Sequence, residues 1–254
     1  MRRLGTAFVL LAVFAVSYAV AQSQPDKRRS GYADMGPSVQ KMQDDDTANP
    51  GMLWVVGGEN LWRRKTGDAN FACADCHQDM KGVAARYPAY SAPLGRVIDL
   101  EGRIQLCRVW HQKDAPFPDE NRDLLALTAF VASQSRGVPI AVAADSRAEA
   151  TLKEGETLFR RRQGQLNLSC AQCHDDNAGQ KLAGVTIPQG HPTGYPLYRL
   201  EWQTVGSLKR RLRNCLIGVR AEPLPYSAPE YVALELYLAK RAQGMKVEAP
   251  GVRP

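Results

Sequence analysis

An internal repeat constrains the fold of this chain more than any other feature of its sequence. Residues 58–77 align without a gap with residues 155–174, and 11 of the 20 positions are identical. Self-similarity at a fixed spacing marks a duplicated structural unit. The sequence therefore predicts that most of the chain consists of two copies of one small domain in tandem.

A second pair of matching segments closes each copy. Residues 126–132 match residues 233–239, and each segment carries an aromatic residue among alanines and leucines and is followed by a glycine. This composition and the following stop signal predict a helix. Each copy also opens with a Gly-x-x-Leu-aromatic segment, so two terminal helices can pack on each other and frame a pocket. The Gly- and Pro-rich loops between them show little of the alternating pattern of strands.

Each copy contains one Cys-x-x-Cys-His motif, which is the attachment signature of c-type haem. The two thiols bond to the haem vinyl groups, and the adjacent histidine becomes an iron ligand. A thioredoxin-like redox pair expects a βαβ setting, and a shared zinc site would join ligands almost 100 residues apart, so both fit less well. The sequence predicts two covalently bound haem c groups. The attachment residues are Cys73, Cys76, Cys170 and Cys173, and the histidine ligands are His77 and His174.

These features predict a mostly α fold, a tandem of two class-I-like cytochrome c domains related by internal duplication. The predicted parts of the chain are a signal peptide at 1–21, an N-terminal extension at 22–49, a first domain at 50–148 and a second domain at 149–254. The extension is polar and is interpreted as a flexible lead or as an arm over a partner. The tail at 247–254 is predicted to be irregular.

The N-terminus predicts export from the cytoplasm. Arg2 and Arg3 precede an apolar run at 7–20 that ends in Ala-Val-Ala. This arrangement is typical of a secretory signal peptide cleaved after Ala21, and the run is too short for an uncleaved anchor. The predicted location is a bacterial periplasm, with no membrane span after cleavage. The net charge of +7 indicates an anionic partner or substrate, although nucleic acid is a poor explanation in an exported haem protein.

The sixth iron ligand is predicted to be cysteine. The first domain lacks the usual distal methionine, because no methionine falls between Met80 and Met245. Cys107 and Cys215 are the cysteines outside the motifs, and they follow the motif histidines by 30 and 41 residues. Because each occurs once per repeat, they are expected to share one role, and the open role is the distal ligand.

Other assignments remain open at this point. Cys107 and Cys215 could form a disulfide with each other or be ordinary core cysteines, and Met245 could reach the second haem only from beyond the last helix. His111 and His191 compete as ligands, but neither has a counterpart in the other copy. We interpret both histidines as structural or surface residues.

The surroundings of Cys215 distinguish it from Cys107. If residues 208–215 are helical, Arg211 lies one turn before Cys215 and about 40° away around the axis, where its planar donor fork can hold an oxyanion over the sulfur. Arg103 has the same offset from Cys107, so position alone does not make Arg211 catalytic. The neighbouring basic residues point away from this face and are expected to raise the local positive potential: Lys209, Arg210 and Arg213.

A thiolate ligand stabilises ferric iron, so both haems are expected to have low potentials. Such haems are poor general electron carriers, which favours chemistry at the ligand. The two haem motifs, the lone cysteine after each, and the Arg-x-x-x-Cys pattern of Arg211 and Cys215 closely resemble SoxA, the dihaem subunit family of the SoxXA cytochromes of bacterial sulfur oxidation. The resemblance covers most of the mature chain, including residues 49–62.

This resemblance implies the catalytic subunit of an L-cysteine S-thiosulfotransferase. Such an enzyme couples thiosulfate oxidatively to a cysteine of the SoxYZ carrier and passes two electrons to cytochrome c, with SoxX as a partner subunit that carries a further haem. Cys215 would be both an iron ligand and a persulfide-bearing sulfur, and Arg211 would bind substrate. The alternatives are a low-potential dihaem electron carrier and a peroxidase-like enzyme, which would need an open coordination site.

Overall fold

The computed structural model describes residues 26–143 and 145–254. The predicted signal peptide, at 1–21, lies outside these ranges. Within them, no helix combines the length and the apolar character needed to cross a membrane.

Helices are the main regular structure of the described part of the chain, as the sequence predicts. The helices of the first half are α1 (Pro37–Asp44), α2 (Met52–Arg63), α3 (Cys73–Cys76), α4 (Leu100–Cys107) and α5 (Arg122–Ser133). Those of the second half are α6 (Glu149–Arg160), α7 (Cys170–His174), α8 (Leu208–Gly218) and α9 (Pro229–Arg241). A π-helical turn, Arg108–Gln112, directly follows α4.

The two halves are built around the same helix crossing, in which α2 packs on α5 and α6 packs on α9. A Cβ atom on Gly58 would lie 2.0 Å from the carbonyl oxygen of Ala126, and one on Gly155 would lie 2.0 Å from that of Ala233. Only glycine allows the two backbones to approach this closely. The predicted packing of the terminal helices is thus confirmed, and the contact explains the glycine of each opening segment.

Aromatic side chains fill the space beside each crossing. Trp62 packs against Phe130 with ring centroids 5.6 Å apart, and Phe159 packs against Tyr237 at 5.3 Å. These four residues are the aromatic positions of the opening and closing segments of each copy. Their contacts place equivalent apolar walls behind the two Cys-x-x-Cys-His motifs.

Short strands occupy parts of the loops in which the sequence shows little strand pattern. Antiparallel pairs form between β1 and β2, β3 and β4, and β5 and β6. Strands of two or three residues are too short to display an alternation of period two, which explains why the pattern does not reveal them. Their bounds are β1 (Ala89–Ser91), β2 (Arg96–Ile98), β3 (Lys181–Leu182), β4 (Val185–Thr186), β5 (Leu197–Arg199) and β6 (Thr204–Gly206).

The predictions for the two ends of the described chain were wrong in part. The tail forms a strand, β7 (Gly251–Arg253), which pairs in parallel with β5. Part of the N-terminal extension is helix α1, and its Gln43 accepts a hydrogen bond from the backbone N–H of Val252 at 2.9 Å. Both ends therefore pack on their own chain beside β5. Long-range pairing of this kind depends on tertiary contacts and leaves no local pattern in the sequence.

One apolar cluster joins the two halves. Buried side chains of the first half, including Val97 and Ala132, contact buried side chains of the second half, including Leu236 and Val247. This cluster joins the two halves, while the aromatic residues of each helix crossing form a separate apolar cluster within their own half.

Candidate haem-binding cavities and active site

The second Cys-x-x-Cys-His motif is presented by the short helix α7. Ser169 begins this helix with a capping box, because its hydroxyl accepts from the N–H of Gln172 at 3.2 Å while the Gln172 amide oxygen accepts from the N–H of Ser169 at 2.9 Å. Residues three and four positions apart share one face of a helix. The cap therefore fixes Cys170, Cys173 and His174 on the same side of the chain.

The first motif has a similar arrangement on α3. The carboxylate of Asp75 accepts a hydrogen bond from the N–H of Ala72 at 2.9 Å, and the N–H of His77 donates to the carbonyl of Cys73 at 3.0 Å. The ring of His77 lies 5.8 Å from that of Trp62 on α2. The crossing helix thus supports the histidine from behind.

A cavity of about 500 Å³ lies beside α7 and α8. Its walls include the two predicted iron ligands of the second domain, His174 and Cys215, together with Cys170 and Arg211. His174 and Cys215 lie near enough for each to affect the pKa of the other. The structure therefore brings four of the residues assigned to this site into one cavity, whereas Cys173, the second attachment cysteine, does not line it.

A loop outside the motif orients His174. Its Nδ1 atom lies 2.7 Å from the carbonyl oxygen of Pro188, which fixes Nδ1–H as the donor. Gly190 has a φ of +72°, and a Cβ atom there would lie 3.3 Å from the imidazole ring. Metal-binding histidines commonly donate their second N–H to a backbone carbonyl, which leaves Nε2 as the ligand. The donor atoms at this site therefore fit a haem iron, and the residues that would hold it are His174, through Nε2, and Cys215, through its sulfur.

Cys215 lies in a strongly positive environment. Burial acts to raise the pKa of this thiol, but the proximity of His174 and the positive charge of Arg211 outweigh burial and lower the pKa. Cys107 differs, because burial raises the pKa of its thiol and the charge of Arg103 only partly opposes the increase. The thiolate, which is the form that binds metals, is favoured more in the second domain than in the first.

Sequence reasoning missed Arg199, which also lines the larger cavity. This side chain comes from β5 and is 13% exposed. Its Nε donates to the carbonyl oxygen of Pro254 at 2.8 Å, and its Nη2 lies 3.1 Å from the carboxylate of Glu201. A visible signal is the repeated Tyr-Pro-x-Tyr segment at 87–90 and 195–198, after which the first copy has a serine and the second copy an arginine.

The expectation that three further basic residues of α8 raise the potential at the site was wrong for Lys209. Its ammonium group is buried and ion-paired with Asp99 and, at 3.5 Å, with Glu101. Arg210 and Arg213 stack on the rings of Trp202 and Tyr226, each at 4.4 Å. All three point away from Cys215, as the helical spacing predicts, but the charge of Lys209 is compensated at the contact between the two halves.

The first domain has a smaller cavity of about 290 Å³. Its lining includes the residues of the first motif and those expected on the opposite wall, namely Cys73, Cys76, His77, Arg103 and Cys107. Each half therefore pairs a Cys-x-x-Cys-His motif with a lone cysteine across a cavity. The two cavities differ in size and in the basic residues around the lone cysteine.

The disulfide between Cys107 and Cys215 that the sequence left open is excluded. The two residues line different cavities, and none of the six cysteines, all of which lie in the described ranges, forms a disulfide. His111 lines the first cavity and His191 the second. Burial lowers the pKa of His191 to about 4, and neighbouring Arg241 acts in the same direction. The interpretation of both histidines as structural or surface residues stays a prediction.

A helical fold, attachment cysteines beside a fixed histidine, and a cavity in front of that histidine define a c-type cytochrome, a protein that binds haem covalently. The family model described as the SoxA/TsdA cytochrome c domain matches residues 57–140 and again residues 154–247. This chain therefore belongs to the SoxA/TsdA cytochrome c family.

Relatives in sequence and in structure agree with this assignment. The chain is 37% identical over 232 residues to the L-cysteine S-thiosulfotransferase subunit SoxA of Rhodovulum sulfidophilum, which covers 90% of this chain and 81% of the relative. It is 35% identical to the subunit of the same name from Pseudaminobacter salicylatoxidans, covering 90% of this chain and 82% of the relative. The crystal structure of SoxXA from P. pantotrophus matches with a TM-score of 0.86 and 30% identity, over 89% of this chain and 87% of the matched chain.

Proposed function

We propose that this chain is the catalytic SoxA subunit of an L-cysteine S-thiosulfotransferase located in the periplasm. The names of its relatives support this function, and one observation in the site carries it. His174, Arg211 and Cys215 line one cavity. Arg103 stands in the same way beside Cys107 in the first cavity, but the second cavity is larger, at about 500 Å³ against about 290 Å³, and offers more room for a sulfur oxyanion beside its arginine and cysteine. A plain electron carrier has no use for such space at the ligand sulfur.

We further propose that the chain holds two haem c groups in two domains, 50–148 and 149–254, that arose by internal duplication. The two helix crossings have the same close backbone contact, at Gly58 and at Gly155, which supports the duplication. The second cavity is the proposed active site. The first, with His77 and Cys107 as proposed iron ligands, has no assigned reaction.

The proposed reaction joins two sulfur atoms. The thiol of the carrier cysteine loses its proton, and its sulfur bonds to the terminal sulfur of thiosulfate to give a carrier S-thiosulfonate. Two electrons leave in this step and pass to cytochrome c. Haem c, when bound at the second site, supplies the electron acceptance that this oxidation requires.

The residues of this chain bind and orient the reactants. Arg211 offers a planar guanidinium fork that matches the sulfonate oxygens and offsets their charge. Cys215 is proposed to be an iron ligand and also to carry an added sulfur atom as a persulfide. Its thiolate would take the terminal sulfur of a thiosulfate ion, whose S–S bond breaks to release sulfite. The loop carbonyl of Pro188 keeps the ring of His174 fixed while the sulfur chemistry takes place across the cavity.

The proposed partners follow from this reaction. A SoxX-like monohaem cytochrome c subunit would form the complex with this chain, a SoxYZ-like carrier protein would present the cysteine, and a cytochrome c would accept the electrons. The structural match to SoxXA supports the first of these partners.

The test is thiosulfate-dependent cytochrome c reduction by the purified complex with the carrier present. Cys215→Ala is expected to lower the turnover by at least about 100-fold, as the loss of a reacting group does. Both haems are expected to stay attached, because attachment at the second site depends on Cys170 and Cys173. The matched control, Cys107→Ala, removes the equivalent thiol of the other cavity and is expected to retain turnover. An undiminished rate in Cys215→Ala would overturn the proposal and favour the electron carrier.

A further inference from the structure

We propose that Arg199 is a second substrate-binding residue of the same site, and that together with Arg211 it selects small dianions. This inference rests on the proposed function, because it identifies the charge class of the substrate at that site. In the larger cavity, two arginines from different elements, β5 and α8, line the wall beside Cys215.

The guanidinium of Arg199 is held in place by its neighbours. The carbonyl of Pro254 accepts from its Nε at 2.8 Å, and the ring of Trp202 lies under it at 5.2 Å. A guanidinium has five N–H donors, and the contacts to Pro254 and Glu201 use only two of them. Arg199 is thus positioned but retains donors for a ligand in the cavity.

The positive charge at this site is only weakly compensated. Burial lowers the pKa of Arg199, and the nearby positive charge of Arg211 lowers this pKa further, so the two guanidinium groups repel each other. The carboxylate of Glu201 is 63% exposed, and an ion pair in contact with water offsets little charge. A bound anion that contacts both arginines would remove the repulsion.

The other basic residues of the cavity are less suited to this role. Arg253 donates to Gln43 and lies 3.4 Å from the carboxylate of Glu248, so its charge is already paired. Lys181 lies on the exposed strand β3, where contact with water screens its charge. Arg199 and Arg211 are therefore the pair available to a ligand at the sulfur.

The first half of the chain provides an internal comparison. Ser91 stands 16 residues before Cys107, as Arg199 stands 16 residues before Cys215, and both follow a Tyr-Pro-x-Tyr segment. Arg86 and Arg103 line the first cavity, but Arg86 comes before the Tyr-Pro-x-Tyr segment and a serine stands at the position of Arg199. An arginine at this strand position is therefore a property of the second half.

Two guanidinium groups match a ligand with two negative charges. Thiosulfate and sulfate are dianions of similar size with oxygens that accept bidentate hydrogen bonds. A monoanion would leave one of the two arginines uncompensated in a partly buried site. The geometry therefore favours a small oxyanion with two charges over one with a single charge.

The test compares Arg199→Ser with the wild type in the oxidised holo-complex. Sulfate serves as an inert dianion, and its binding is measured by isothermal titration calorimetry, which does not depend on turnover. Arg199→Ser is expected to weaken sulfate binding by about 10-fold or more, the effect of losing a charged hydrogen bond. The KM for thiosulfate is expected to rise by a similar factor, and Arg199→Lys is expected to recover part of the loss.

Arg210→Ser is the matched control. Arg210 also lies over the ring of Trp202, at 4.4 Å, so this variant removes one positive charge near the same side chain. Unlike Arg199, Arg210 does not line the cavity. Equal sulfate affinities in Arg199→Ser and Arg210→Ser would overturn the inference, as would a wild type that does not bind sulfate. Sulfate binding that depends on Arg199 in a complex without thiosulfate turnover would instead contradict the proposed function and leave this inference standing.

Discussion

His174 is fixed by residues that lie far from its motif in the sequence. The carbonyl oxygen of Pro188 accepts a hydrogen bond from Nδ1–H of the ring, and Gly190 packs against the ring where a side chain would crowd it. The motif predicts that this histidine binds iron, but nothing in residues 170–174 indicates which carbonyl will accept its second N–H. That partner depends on how the loop folds back, which is a tertiary contact.

Helical geometry made Arg211 and Cys215 predictable as a pair. A spacing of four residues places them on one face of α8, and both line the cavity. Arg199 was not predictable in the same way, because it reaches the cavity from a three-residue strand whose pairing with β7 brings it there. Residues within one helix can be related by periodicity, whereas residues from separate elements cannot.

Arg211→Ala is predicted to impair the use of thiosulfate. The loss of a charged donor beside the reacting sulfur is expected to lower kcat/KM for thiosulfate by about 100-fold, and the iron ligands remain in place. Steady-state kinetics of cytochrome c reduction measure the effect. Arg103→Ala, the equivalent change at the first cavity, is the control. Equal kinetics in the two variants would contradict the role given to Arg211.

At the scale of secondary structure, the helix crossings were the most predictable part of the fold. The Gly-x-x-Leu-aromatic segments and the apolar closing segments predict two helices per copy, and the structure packs them at Gly58 and Gly155. The strands were not predictable, since each has only two or three residues. The pairing of β7 with β5 joins the end of the described chain to a hairpin more than 50 residues earlier. No local sequence pattern predicts such a contact.

Gly58→Ala is predicted to destabilise the first half by about 3 kcal/mol, because a Cβ atom there would overlap the backbone of Ala126 and force the helices apart. Gly57→Ala is the control on the same helix. A Cβ atom at Gly57 meets nothing within 4 Å, and alanine favours helix, so this variant is expected to gain up to about 1 kcal/mol. Denaturant unfolding of the two holoproteins measures both values. Similar stabilities would show that the helices do not cross at Gly58.

At the scale of the whole molecule, a buried group of charges joins the two halves. Lys209 of α8 pairs with Asp99 and Glu101 from the first half, and Glu235 of α9 lies near enough for its carboxylate to affect them. Burial raises the pKa of Glu101 to about 8. The repeat predicts two domains but not the contact between them. In the sequence alone, each of these charged residues is typical of a solvent-exposed position.

Glu235→Gln is predicted to change how stability depends on pH. Burial, followed by the nearby charge of Asp99, raises the pKa of Glu235 well above its ordinary value of 4.5. In the unfolded chain this carboxyl ionises near pH 4.5, whereas in the folded protein it stays protonated to higher pH, so folding takes up a proton. This contribution to stability is fully present below pH 4.5 and is lost as the pH rises towards the folded pKa.

Because glutamine does not ionise, the Glu235→Gln variant does not lose stability in this way as the pH rises. The free energy of unfolding of Glu235→Gln relative to the wild type is therefore expected to increase between pH 5 and 8, by up to about 1.4 kcal/mol for each pH unit. Denaturant unfolding at several pH values measures the difference. Parallel curves for the two proteins would show that Glu235 is ionised in the folded state.

We propose that the sulfur of Cys215 takes part in the reaction instead of serving only as an iron ligand. The mass of the peptide that contains Cys215, taken from natively matured protein without reduction, tests this role. The added mass of one sulfur atom is expected on this peptide and none on the equivalent peptide of Cys107. A Cys215 peptide that is unmodified, and that stays so after exposure to thiosulfate and an oxidant, would show that Cys215 serves only as a ligand and would favour an electron carrier.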